Sequence, residues 1–319
     1  MGDSVTIAQI SLSALAPSRK ALDEEVRVGK DVLDLLTGAM YVDPLTIYRE
    51  YIQNAADSVD DARAKGLNFP AGPNVTIYVD HQERCVRIRD FGAGIPAANF
   101  SRKLTTIGAS EKRGKGQRGF RGVGRLSGLG YCQELVFRGR TDGETKVSEV
   151  RWDGRILREK MRDTAFKGGL SEIVAAAVTQ VKIPGDGYPD RFFEVELRRV
   201  QRARNDVLLN EDAIRSYLSQ VAPLPFAPDF SHGPMVQAHL DRAGPLHTIC
   251  LKLDGDPEPV YHRACDQFPL SDKQLESIQE IQLLELRDSD GALMATGWIG
   301  HHAYVGSVPK KLGLGGIRL

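Results

Sequence analysis

A chain of 319 residues is long enough for two ordinary domains with separate buried cores, and its 41% hydrophobic and 26% charged content is that of a globular protein in water. Lys plus Arg equal Asp plus Glu at 42 each, so no global field draws the chain to a polyanion. No apolar run approaches the roughly 20 residues of a membrane helix. The start lacks a basic leader ahead of an apolar core, and Cys85, Cys132, Cys250 and Cys265 form no C-x-x-C pair, so a cytoplasmic protein with free thiols is expected.

Residues 28–40 read as a helix ending near Gly38. Asp43 as N-cap and Pro44 at the first helical position predict a stronger helix running to Lys65 before Gly66. Two alternating strands follow, Val75–Asp80 and Arg84–Asp90, joined by the polar turn His81–Glu83. A glycine-rich segment occupies 92–130, and strands are predicted at 131–138, 146–152 and 192–198. The order of helices, hairpin, glycine-rich loop and strands predicts a layered α+β sandwich rather than alternating βαβ units. The polar, basic stretch Arg198–Asn205 marks the expected boundary between domains 1–205 and 206–319. The second begins with a helix over 211–220 and continues with strand pairs at 247–262 and 280–299, the latter turning at Asp290-Gly291. Residues 311–319 read as a strand just begun, so the chain is expected to be part of a longer protein. Trp152 and Trp298 read as packing residues. His301 and His302 point to opposite faces of a strand and make no metal site.

The helix 43–65 carries two stripes. Leu45, Tyr48, Ile52, Ala55, Val59 and Ala62 line one face, and Glu50, Asn54, Asp57 and Asp61 the other. A solvated face ordinarily mixes lysine with its acids, and this line holds none. Its chemistry suits a divalent cation and an attacking water, because an amide oxygen ligates a hard metal and a carboxylate one turn away takes a proton. The second strand ends Asp90-Phe-Gly92-Ala-Gly94-Ile95-Pro96. A carboxylate there suits the exocyclic amine of adenine, with bare glycines letting the base lie against the backbone. Gly119-Phe120-Arg121-Gly122-Val123-Gly124 has the conformational freedom of an anion-cradling loop, and a helix beginning just after it would aim free N–H groups at phosphate. It closes a basic run of Arg102, Lys103, Lys112, Arg113, Lys115, Arg118, Arg121 and Arg125 against the single acid Glu111. Gly114-Lys-Gly116-Gln-Arg-Gly119 satisfies G-x-G-x-x-G, but no strand precedes it and no acid sits at the ribose spacing. A dinucleotide fold is therefore not expected, and Gly116 in place of Ser or Thr rules out a P-loop.

Together, Tyr48-Arg-Glu-Tyr-Ile-Gln-Asn-Ala-Ala-Asp-Ser58, Asp90-x-Gly92-x-Gly94, Leu104-Thr-Thr-Ile-Gly108 and Gly119-x-x-Gly122-x-Gly124 resemble the gyrase, heat-shock-90, histidine-kinase and MutL superfamily of ATPases, most nearly its heat-shock-90 branch. The resemblance implies a Bergerat-type α/β sandwich over residues 1–205 with a mobile lid at about 102–125, then a transducer-like (S5-like) α/β domain over 206–319. It implies ATP and Mg²⁺ as ligands. Glu50 would be the general base and Asn54 the magnesium ligand. Asp57 would line the pocket, Asp90 would hold the adenine amine, and Gly92, Gly94 and Ile95 would surround the base. Thr106 and Lys112 would reach the phosphates, and Gly119, Phe120, Arg121, Gly122, Val123 and Gly124 would wrap them. The implied function is Mg-dependent ATP hydrolysis driving lid closure and homodimerisation, as in a chaperone-like clamp acting on a protein client. The alternatives are a DNA-processing ATPase and a non-hydrolysing ATP sensor; the neutral net charge speaks against nucleic acid as a partner, and no membrane partner is expected.

The sequence departs from the family pattern at two places. A lysine ordinarily following Thr-Ile-Gly is replaced by Ala109 and Ser110, which makes Lys112 the candidate. The Gly-Thr-x-Ile strand whose threonine supports the adenine aspartate aligns with Phe192-Phe-Glu-Val-Glu-Leu197, which has none, and Thr179 is an alternative. Lys310 and Lys311 are candidates for the second domain's contact with the terminal phosphate.

Overall fold

The strongest predicted helix forms as α1, Thr46–Ala64, preceded by a turn in which the Asp43 carboxylate accepts the Leu45 N–H at 3.0 Å. Asp43 therefore caps this leading turn, and the helix proper starts three residues later. Gly66 ends it at φ +64°, where the Gly66 N–H reaches Arg63 O and the Leu67 N–H reaches Ala62 O. This pair of bonds closes a helix through a left-handed glycine. The protein is described here by a computed structural model covering residues 43–106, 124–306 and 308, apart from 164, 167, 246 and 272. The helix expected at 28–40, the strand expected from 311, and Lys310 and Lys311 lie outside the described residues.

The hairpin forms as predicted in β1 (Val75–Asp80) and β2 (Cys85–Asp90). It is followed by α2 (Phe100–Thr105), a 3-10 turn at Gly124–Gly130, β3 (Glu134–Arg140), β4 (Lys146–Asp153), α3 (Gly154–Arg162) and α4 (Leu170–Ala177). Next come β5 (Val178–Pro184), β6 (Phe192–Arg198), α5 (Glu211–Val221), α6 (Gly233–Leu240) and β7 (Leu251–Leu253). Two hairpins end the described chain: β8 (Gln267–Ser271) with β9 (Gln274–Ser277), and β10 (Glu280–Arg287) with β11 (Leu293–His301). The order along the main sheet is β5-β4-β3-β6-β2-β1-β7, antiparallel except for the β1–β7 pair. The result is the expected α+β arrangement, with helices on one side of a mixed sheet.

Register divides the sheet into two chemically opposite faces, because successive side chains alternate. On the helix side, Ile77 pairs Ile88, Ile88 pairs Val195, Val195 pairs Phe137, and Phe137 pairs Val150. These residues join the apolar stripe of α1 in one buried core, where Tyr48, Ile52 and Val59 are wholly enclosed. The other face is a ladder of ions. Arg89 contacts Glu194 at 2.7 Å, and Arg138 reaches Glu149 at 2.6 Å, Glu194 at 3.1 Å and Glu196 at 2.7 Å. Burial opposes ionisation of Glu196, but Arg138 and Arg198 hold its carboxyl below the ordinary value. Cross-strand opposite charges favour this register, and a slip of one residue would carry every arginine into the core.

The same core extends past residue 205. Val200, Leu208, Ile214, Leu218, Ile249, Leu251 and Val260 belong to it, and Leu251 and Leu253 pair with Val75 and Ile77. A division at 205 therefore does not fall between two cores. A separate small core gathers Phe230, Val236 and Ala264 with Phe226, Ile281 and Trp298. Trp152 is fully buried in the first core. The strand pair expected over 247–262 is reduced to β7 and a single bridge from Leu251 to Val260.

Replacing Arg138 by Leu removes the cation shared by Glu149, Glu194 and Glu196, leaving Glu194 with Arg89 and Glu196 with Arg198. Breaking a fully buried set costs about 3–5 kcal/mol, an upper bound here because Arg89 and Arg198 remain. A clear fall in the urea midpoint of Arg138→Leu is expected, and an unchanged midpoint contradicts this account of the ladder.

Candidate active site

The alternation of β2 decides where its last residue points. Val86 and Ile88 face the helices, and so does Asp90, opposite Val75 on one neighbour and Phe193 on the other. A carboxylate thus occupies an apolar row and is 3% exposed. The Gly92 N–H donates to its Oδ1 at 3.0 Å, and the Ser58 hydroxyl of α1 donates to it as well. Burial is the largest influence and pushes the Asp90 carboxyl up to about 7, against the pull of these two donors. A folded value above the unfolded one means that proton uptake favours the folded chain. That contribution is complete below about pH 4 and is lost as pH rises through 7.

Gly92 is bare for a nearer reason than room for a base. A Cβ there would lie 2.3 Å from Ser58 Oγ and 2.5 Å from Ser58 O, so only glycine lets the loop meet the helix. The contact is sealed by the Ala93 N–H donating to Ser58 O at 2.8 Å. Gly94 sits at φ +69°, with the Arg140 carbonyl 3.0 Å from where its Cβ would be, so both freedoms of glycine are used there. Ile95 packs partly buried against the core.

The polar line of α1 runs along the same helix that supplies Ser58. Glu50 and Asn54 are partly exposed, Asp57 is buried, and Asp61 is open to solvent. Glu50 is paired with Arg49 at 3.1 Å. Its carboxylate also lies against Gly124, where a Cβ would be 2.1 Å from Glu50 Oε2. The two motifs, distant in sequence, therefore touch at the proposed base. Gly124 opens the 3-10 turn Gly124–Gly130, which Tyr51 ties to α1: its hydroxyl donates to Arg125 O at 3.2 Å and accepts the Gly128 N–H at 2.9 Å. Thr106 ends α2, with its hydroxyl donating to Arg102 O at 2.6 Å and its carbonyl accepting the Arg125 guanidinium. Lys112, Gly119, Phe120, Arg121, Gly122 and Val123 lie outside the described residues.

Two points that the motifs leave open are answered by strand order. The strand beside β2 is β6, so Phe193 stands opposite Asp90. Thr179 lies on edge strand β5, beyond β6, β3 and β4, and does not reach Asp90. The hydroxyl that the aspartate needs comes from Ser58, a residue to which the motifs give no role. A signal for it exists, since steps of four from Glu50 and Asn54 arrive at Ser58. Among the described residues no group of three His, Cys, Asp or Glu side chains forms a metal cage. A single amide oxygen, as expected of Asn54, would leave most positions around a hard divalent cation to phosphate oxygens and water, the way Mg²⁺ commonly accompanies nucleotides.

Residues 46–166 match the family model described as histidine kinase-, DNA gyrase B-, and HSP90-like ATPase. Among curated proteins the chain is similar to chaperone protein HtpG of Rhodospirillum rubrum, at 28% identity over 222 residues, covering 56% of this chain and 35% of that protein. It is similar to HtpG of Acinetobacter baylyi at 28% over 139 residues, 38% of this chain and 22% of that protein. HtpG of Methylobacterium sp. (strain 4-46) is 34% identical over 87 residues, 26% of this chain and 14% of that protein. The chain thus spans about a third or less of the length of these relatives. No helix among the described residues is long and apolar enough to cross a membrane.

An amine donor needs the ionised form of Asp90, so binding of adenosine, which does not titrate near neutrality, should tighten as pH rises from 6 to 8. The expected slope approaches tenfold per unit below about pH 7 and flattens above it. Calorimetry at three pH values tests this, with Asp90→Asn expected to lose both the affinity and its pH dependence. A flat profile in the unaltered protein removes Asp90 from the binding site.

Proposed function

Since residues 46–166 match the model of the histidine kinase-, DNA gyrase B- and HSP90-like ATPases, we propose that this protein binds Mg-ATP beside α1 and hydrolyses it. The observation that carries the proposal is the contact of three motifs on one helix: Ser58 with Asp90, Ala93 with Ser58, and Gly124 with Glu50. Asp90 accepts the adenine amine with whichever lone pairs Gly92 and Ser58 leave free. Asn54 would hold Mg²⁺, and the ion would supply neutralisation of phosphate charge. Glu50, one turn away, takes the proton of the attacking water, and the Arg49 guanidinium lies 3.1 Å from its carboxylate. Asp57 lines the pocket. Thr106, Lys112 and the segment from Gly119 to Gly124 serve the phosphates, and nucleotide-driven closure of that segment over the site is coupled to homodimerisation. A transducer-like role for residues 206–319 rests on the small separate core of Phe230, Val236 and Ala264, since other residues through Val260 share the first core. By analogy with HtpG, the work delivered is chaperone-like and its client a protein.

Glu50→Gln keeps size and hydrogen bonding but accepts no proton. Phosphate release should fall about 10²–10⁴-fold while ATP affinity stays near its original value. Asn54→Ala should instead weaken Mg-ATP binding itself. Light scattering with and without ATP reads the coupled step, with Glu50→Gln expected to accumulate a dimer. Wild-type turnover in Glu50→Gln contradicts the mechanism and leaves a non-hydrolysing nucleotide sensor.

A further inference from the structure

We propose that Arg191 is the positioning residue of the base pocket, holding the loop after Asp90 in the one conformation that recognises adenine. The inference rests on the ATP-binding reading above and deepens it. Arg191 immediately precedes β6, the strand that pairs with Asp90 through Phe193. Its Nε donates to the Gly92 carbonyl at 2.8 Å, one Nη donates to the Asn68 carbonyl, and the other meets Asp142 Oδ2 at 2.5 Å. One guanidinium therefore binds three separate loops: the connection leaving α1, the loop after β2, and the turn after β3.

The balance of burial shows which of these contacts matters. The Arg191 side chain is 9% exposed and that of Asp142 is 53% exposed. An ion pair with a half-exposed carboxylate adds little, whereas a cation drawn inside needs its donors met, and two backbone carbonyls meet them. Around Asp90 the loop's N–H groups are already assigned. Phe91 donates to Asn74 O at 3.0 Å, Gly92 to Asp90, and Ala93 to Ser58 O. The Gly92 carbonyl is held by Arg191. The Gly92–Ala93 peptide is thus pinned at both ends, its N–H by Ser58 O and its C=O by Arg191, and with glycine at 92 and 94 loss of the second pin allows a rotation that would withdraw the Ala93 N–H from Ser58 and disturb the N–H that orients Asp90. Lysine cannot replace this fork, since a single ammonium cannot span carbonyls on two loops and a carboxylate on a third in fixed planar geometry.

The test compares Arg191→Lys, Arg191→Ala and Asp142→Asn in the full chain, using ATP and GTP as calorimetric probes together with steady-state turnover and thermal unfolding. For Arg191→Lys, ATP affinity should fall about 10–100-fold, the loss of one charged hydrogen bond. Affinity for GTP, which has a carbonyl where adenine has its 6-amine, should change far less, so discrimination between the two collapses. KM should rise while kcat at saturation stays within about twofold. Asp142→Asn should keep discrimination, because both carbonyl contacts remain. If Arg191→Lys lowers the unfolding temperature but leaves the ATP-to-GTP ratio unchanged, Arg191 is a structural staple and the inference is overturned. Loss of discrimination in Asp142→Asn equal to that in Arg191→Lys also overturns it, since the ion pair would then be the operative contact. Should Arg191→Ala fail to fold, Arg191→Lys still decides. Failure of the unaltered protein to bind ATP would show instead that the nucleotide reading itself is wrong.

Discussion

Asp90 is a carboxylate set in an apolar row, and much of the surrounding structure exists to make that tolerable. Burying an ionisable group without partners is costly, so the chain either protonates it or brings donors to it. Here it does both in part, with the group pushed up to about 7 and two donors supplied by Ser58 and the Gly92 N–H. Each donor imposes its own requirement. Ser58 must lie on the face of α1 that meets the sheet, which fixes the rotation of the helix. The Gly92 N–H must turn back on its own strand, which requires a backbone with no Cβ against Ser58. The amphipathicity of α1, the alternation of β2 and the glycine spacing are thus separate expressions of one local demand.

The opposite face of the sheet answers a different problem. A sheet covered by helices on one side must otherwise present its second side to water, and this one fills it with arginines and glutamates that pair across strands. Isolated surface pairs contribute little, but a shared arginine between buried carboxylates penalises alternative registers heavily. Because register sets both faces at once, the ion ladder also helps keep Asp90 on the helix side.

The elements that build the site are legible in the sequence because they obey strong periodicities. The run V-R-I-R-D puts Asp90 in phase with Val86 and Ile88, and the stripe from Leu45 to Ala62 orients α1 through its spacing alone. The roles of Ser58 and Arg191 escape the motifs for different reasons. Ser58 continues a line of four-residue steps and is readable in principle. Arg191 is not, since its partners at Gly92 and Asn68 are backbone carbonyls, which carry no side-chain signature. Short elements are hidden for similar reasons. The helix α3 has nine residues and an N-cap, Asp153, that accepts the Arg155 and Ile156 N–H groups, but too few turns for a clear period. The strand β7 has three residues, and its partner is remote in sequence.

That three-residue strand has a bearing on how the protein is made. Leu251–Leu253 covers the outer edge of β1, and the Asn74 side chain accepts the Cys250 N–H across a separation of 176 residues. During translation, β1 and β2 emerge long before the segment that covers them. The nascent chain therefore passes through a stage in which Val75 and Ile77 head an uncovered edge with free backbone donors and acceptors. Such edges recruit other chains, and closing so long a loop is slow. The first layer of the fold is complete only once residues near 253 have left the ribosome, which ties its solubility at birth to a strand that contributes almost nothing to its area.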